Sequence, residues 1–248
     1  GLWLGVFYAA IPAGTALGYG YGAFVAQNWT WAAAFYAQGV VMLVPASLFL
    51  LSKDDGSRIV NRDQQPPSLK SELQALRRSK TFRFTVLGYA GYAASVIGFS
   101  TFGPSIVVGL GLWTDSVRAS LAFSATLAVS GALGTPLGGL ALDAWTRKRE
   151  NKLRAALEVS IATVGAGALL ITPAAFARDR ARFLASIGLG TLPLFAATSP
   201  MNVSIFEGVP REHRAFGIAV ATLLMHASGG VPSPVGAGLL KDRRAPPC

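Results

Sequence analysis

Asp143, Arg147 and Lys148 are the side chains in this sequence best spaced to build a charge cluster. They follow Gly138-Gly139-Leu140-Ala141-Leu142, so an acid at the end of an apolar stretch meets a tight basic turn. Such a cluster can pair with a neighbouring helix. Membrane anchoring by basic residues explains Arg147 and Lys148, but not Gly138, Gly139 and Asp143. A second group runs from His226 to Pro234, HASGGVPSP. Its two prolines and two glycines must distort a helix. Carbonyls freed in this way are tolerated in a membrane where they face protein or a watery cavity. His226 is titratable and lies well inside an apolar stretch, which marks it as a functional candidate. A neutral imidazole bonded to a neighbouring helix is the plainer reading. In a third group, Gly14, Gly18 and Gly22 recur at i, i+4 and i+8 behind Pro12. That spacing offers one helix face for close approach of another backbone, and ordinary tight packing accounts for it equally well. Glu158 and Glu207 stand near stretch ends and read as interfacial or packing residues.

Several chemistries are excluded. There is no GxSxG, HExxH or P-loop sequence, so the chain reads as a non-enzyme without a cofactor. The single cysteine, Cys248, forms no internal disulfide, and His213 and His226 are too far apart in sequence to suggest a metal site. The net charge is +10, but the bases sit in short clusters between long uncharged runs. No basic face interleaved with aromatics appears, which excludes nucleic acid as a partner.

The elements that must position these residues are long apolar helices. Of 248 residues, 52% are hydrophobic and 14% charged, and the mean hydropathy is +0.45. Soluble domains carry about 25% charged residues, so the bilayer is the expected solvent and partner. Crossing about 30 Å of hydrocarbon takes about 20 helical residues. Seven stretches suffice: Leu2 to Ala26, Trp31 to Leu51, Phe84 to Leu112, Leu121 to Leu142, Ala155 to Ala177, Phe183 to Phe206 and Phe216 to Leu240. The expected fold is an all-α polytopic bundle. Lys and Arg concentrate in the loops after the second, fourth and sixth stretches, which places those loops in the cytoplasm. Arg178, Arg180 and Arg182 on the opposite side run against the pattern. Segment 52–80 is the long hydrophilic one, and SLKSELQALRR from Ser68 to Arg78 reads as an amphipathic helix presenting Leu69, Leu73 and Leu76. It is either a surface helix between bundles or a solvated linker. The chain starts at Gly1 without a signal-peptide n-region, which reads as truncation.

Together these residues resemble the major facilitator superfamily. The Gly14, Gly18, Gly22 helix is similar to that family's fifth helix. Gly139-x-x-x-Asp143 with Arg147-Lys148 resembles its loop motif between helices eight and nine, although Ala144 replaces a usual base and Thr146 a usual Gly. Residues 7–19, 131–139 and 226–234 resemble the spinster-like branch. The resemblance implies helices five to eleven: 1–51 as the last two helices of the N-terminal bundle, 52–80 as the central cytoplasmic loop, and 81–248 as a C-terminal bundle lacking its last helix. It further implies alternating-access transport of a lipid-like or small organic solute; spinster-like carriers are associated with sphingolipids and lysophospholipids. Coupling to a proton or cation stays open, since Gly230 stands where the branch often has Asp. Asp143, Arg147 and Lys148, with Gly138 and Gly139, would gate the cytoplasmic side near the first helix. Pro12, Gly14, Gly18 and Gly22 would form a packing hinge. His226, Ser233, Asn202, Tyr89 and Tyr92 would line the solute cavity. The span count leaves a seven-helix receptor or signalling protein as the alternative.

Overall fold

The computed structural model describes residues 1–51, 68–149 and 151–244. All regular structure among them is helical. Helix α1 (Leu2–Asn28) and α2 (Trp31–Leu51) form a hairpin broken at Trp29-Thr30, and neither carries a charge. Next come a short helix α3 (Leu69–Arg78) and the long helices α4 (Lys80–Gly109), α5 (Ser116–Thr146) and α6 (Lys152–Ile171), the last extended by a 3-10 turn over Thr172–Phe176. Helices α7 (Arg180–Ala196) and α8 (Thr198–Glu207) form one bent span. The final span is α9 (Arg214–Met225), a π-helical segment (His226–Gly230) and α10 (Pro232–Arg244). Among the described residues, six helical segments are long and apolar enough to cross a bilayer. The uncharged 27-residue α1 corresponds to the remaining one of the seven stretches expected.

Local sequence explains where these helices start. Ser68, Ser79, Asp115, Asn151 and Asp179 each accept a backbone N–H from the first turn of the following helix, which satisfies donors that have no intrahelical partner. The distortion expected from HASGGVPSP is present: the Val231 N–H bonds the His226 carbonyl at 2.8 Å, five residues back, and Pro232 opens a new helix.

Two apolar clusters hold the bundle. One joins α4, α5 and α7 through Val107, Leu112, Trp113, Phe123, Phe183 and Ile187. Beside it, Arg180 donates to the Leu112 carbonyl and lies 5.2 Å from the Trp113 ring centre, while Arg182 pairs with Asp179 at 3.1 Å. Two of the bases that ran against the charge pattern are thus engaged locally. The other cluster, at the opposite end, joins Leu76 of α3 to Phe82, Val86, Ile205, Val209 and Ala221. Of the three leucines expected on the face of α3, Leu76 is buried, whereas Leu69 and Leu73 are exposed. The rest of the hydrophilic segment, 52–67, lies outside the described residues. Helix α1 packs along α5, while α2 leans on α1 and presents residues such as Phe35, Val41 and Phe49 outward.

Candidate functional site: a helix clasp and a polar layer

The end of α5 meets the start of α1. Asp143 Oδ2 accepts from the Leu2 N–H at 2.8 Å. The first N–H groups of a helix lack intrahelical acceptors and carry partial positive charge, so a carboxylate matches them in both respects. Ser199 of α8 donates to the Gly1 carbonyl at 3.2 Å from the other side. The glycines before Asp143 permit the approach. A β-carbon at Gly139 would lie 2.6 Å from the Gly1 carbonyl oxygen, and one at Gly138 would lie 1.9 Å from that of Ala196. Gly139 therefore serves the contact with α1, and Gly138 the contact with α7.

Of the two bases expected beside Asp143, Arg147 lies close enough for its charge to favour the ionised carboxylate. Arg147 is the C-cap residue of α5, and the Lys148 ammonium stands 5.8 Å from the Trp145 ring centre. Neither shares the hydrogen bond of Asp143 to α1. A charge hub that the sequence reading did not single out lies alongside. Glu158 accepts from Trp145 Nε1 at 2.7 Å and from Arg154 Nε at 3.0 Å, and Arg149 Nε lies 3.3 Å away. The i,i+4 spacing of Arg154 and Glu158 is the signal that could have pointed to it.

The packing face expected from Gly14, Gly18 and Gly22 makes no close contact among the described residues, which leaves it free for helices beyond this chain. No atom of the described residues comes within 4 Å of a β-carbon built at any of the three. The close approach of α1 to α5 instead uses Gly5, where a β-carbon would lie 2.5 Å from the Thr135 carbonyl oxygen. It also uses Pro12, whose Cβ would lie 2.2 Å from a β-carbon on Gly131. At 3.6 residues per turn, Gly14 is turned roughly 200° from Pro12, so the two face opposite sides.

Three candidate cavity residues occupy α4 and α8, and a fourth, Ser233, lies on α10. Asn202 Nδ2 donates to the Tyr89 hydroxyl at 3.1 Å, and the Tyr92 hydroxyl is 3.3 Å from Thr198 Oγ1. The tyrosine rings are 5.7 Å apart between centres. Tyr89, Tyr92 and Asn202 thus form one part-buried polar layer between α4 and α8, with Thr198 as a member the sequence did not suggest. Ser233 also reaches α4, donating to the Ala94 carbonyl. His226 does not join the layer. Its side chain is exposed, and one ring nitrogen bonds the Thr222 carbonyl of its own helix at 2.9 Å. The expectation of a bond to a neighbouring helix gives way to one within the span.

A bundle of bilayer-length helices with charge confined to its ends is a multi-pass integral membrane protein. Residues 1–234 match the family model described as Major Facilitator Superfamily, and the chain belongs to that family. It is 28% identical over 273 residues to the probable sphingolipid transporter spinster homolog 3 of Arabidopsis thaliana, covering 97% of this chain and 52% of that protein. It is 30% identical over 256 residues to spinster homolog 2 of the same plant, covering 97% and 51%. To the protein spinster homolog 1 of Homo sapiens it is 28% identical over 262 residues, covering 97% and 49%. The chain thus spans about half the length of these curated relatives. The family favours the transporter reading over the seven-helix receptor or signalling protein.

Proposed function

We propose that this chain forms part of a secondary-active transporter that moves a lipid-like or small organic solute across a membrane by alternating access. The observation that carries the reading is the seam between α1 and α5, lined by Gly5, Gly131 and Gly139 and closed at one end by Asp143 on the first turn of α1. A smooth backbone-to-backbone seam lets two bundles rock as rigid bodies about a site near the midplane. A charge-assisted clasp at one end provides two discrete arrangements, bonded and parted. In this reading residues 1–51 belong to the N-terminal bundle, 52–80 form the cytoplasmic linker, and 81–248 belong to the C-terminal bundle. Asp143 gates the cytoplasmic side, with Arg147 and Lys148 flanking it.

The names of the plant relatives support a lipid-like solute with long-chain character, and no catalytic residue is assigned. Tyr89, Tyr92, Thr198 and Asn202 are the polar groups of the solute path. The test is uptake of a fluorescent sphingoid base into vesicles bearing the full-length protein. Asp143→Asn should change the rate while membrane insertion stays intact. A variant that transports at the parental rate would remove Asp143 from the gate, and the absence of uptake by the parent would remove the solute class.

A further inference from the structure

We infer that the cavity between α1, α4 and α5 is a binding pocket for an uncharged alkyl chain carrying one hydroxyl or carbonyl group, which Ser124 anchors. The inference deepens the transport reading and rests on it for its physiological role. The cavity holds about 230 Å³, with apolar walls from Ile11 and Pro12 of α1, Ile97 of α4, Leu127 of α5 and Phe195 of α7. No charged side chain among the described residues lines it, so a charged headgroup would lose its hydration there without a counter-ion. Hydrocarbon suits the walls.

Among the described residues its polar lining consists of three hydroxyls, Thr15, Ser100 and Ser124. Serines and threonines inside helices commonly return the hydroxyl to the carbonyl four residues earlier. Thr15 donates in this way to Ile11 at 2.9 Å, Ser100 to Val96 at 2.8 Å and, on the same helix as Ser124, Thr126 to Ala122 at 2.8 Å. Ser124 departs from the habit: it is 5% exposed, and its Oγ has no hydrogen-bond partner in the structure. A buried hydroxyl without a partner is costly, and a ligand that brings one polar group on an apolar chain removes that cost. Thr85 carries the other unpaired hydroxyl, along the groove between α4 and α6 lined by Phe84, Leu157 and Ile161. Nothing in the structure shows what covers that groove.

The experiment uses the full-length protein in lipid nanodiscs with two photoactivatable probes, a long-chain primary alcohol carrying an alkyl diazirine and the corresponding alkane. Labelled peptides are identified by mass spectrometry. Adducts of the alcohol are expected on the peptides bearing Val96–Ser100 and Ser124–Ala128 and should be lost in Ala128→Phe, which fills the cavity. Ser124→Ala should lower labelling by the alcohol about three- to tenfold, as loss of one hydrogen bond does, and leave labelling by the alkane unchanged. Because Ser124→Ala is nearly isosteric, this comparison decides the matter even if Ala128→Phe fails to fold. Labelling confined to the groove between α4 and α6, or an equal effect of Ser124→Ala on both probes, would overturn the assignment. Loss of vesicle uptake with labelling intact would count against the transport reading and leave the pocket standing.

Discussion

Asp143 acts on α1 as an N-terminal cap supplied by a different helix. Removing such a cap costs about 0.5–2 kcal/mol, and the charge adds a favourable interaction with the helix dipole. In thermal melts of the chain in nanodiscs, Asp143→Ala should therefore lower the midpoint more than Asp143→Asn, whose amide oxygen still accepts from Leu2. Midpoints equal to the parent's for both variants would mean that neither the charge nor the bond holds the end of α1. Glu158 differs from Asp143 in reach: it draws in Trp145 from α5 and Arg149 and Arg154 from either side of the start of α6. The i,i+4 pairing with Arg154 was legible in the chain. The bond to Trp145 was not, because nothing local to either residue states that the two helices lie side by side at that end.

At the scale of elements, the glycines divide into those that make the contact of α1 and α5 with their neighbours and those that face open space among the described residues. A β-carbon at Gly138 meets the Ala196 backbone, which cannot swing aside as a flexible side chain would. Gly138→Ala should cost about 1–3 kcal/mol through overpacking. Gly14→Ala meets open space and should be neutral or stabilising by about 0.5–1 kcal/mol, since Gly is the poorer helix former. A matched pair of denaturation curves checks both, and the order reversed would place the seam elsewhere. Helix α3 is held differently, by Leu76 in an apolar cluster and by Ser79, which donates to the Gly208 carbonyl at 2.8 Å. Glu72 comes within 4.0 Å of His213. Leu76→Ala should cost about 2–5 kcal/mol of local packing. Faster amide exchange in 69–78, with α5 and α7 unchanged, is the expected signature.

For the whole molecule, the charge distribution and the contacts agree on which ends lie together. The start of α1, the end of α5, α3, the start of α4 and the turn after α8 all meet at one end, through Leu2–Asp143, Ser79–Gly208 and Leu76 against Ile205 and Val209. The basic loops crowd that same end, so it should face the cytoplasm. With Cys248 replaced by Ser, single cysteines at Arg149 and Thr114 should react with an impermeant maleimide from opposite sides of a sealed membrane. Labelling of both from one side would refute the topology.

Hydropathy, spacing and caps determined the number and approximate extent of the helices. They also determined the break at HASGGVPSP and the short helix after Ser68, because each of these depends on residues within a turn or two of one another. The pairing of Asp143 with α1 was partly legible as an acid after small residues, although its acceptor role at Leu2 required knowing which helix end arrives there. Only the tertiary structure decided which face of α1 meets α5. Periodicity identifies a small-residue face at Gly14, Gly18 and Gly22, but not whether a neighbour lies on it. It was also the tertiary structure that gathered Tyr89, Tyr92, Thr198 and Asn202 into one layer and turned His226 away from it. In a bilayer every face of a spanning helix is apolar, so the pattern that tells inside from outside in a soluble protein is absent. The choice of neighbour is then left to shape: where a glycine admits a backbone, and where a hydroxyl finds a partner.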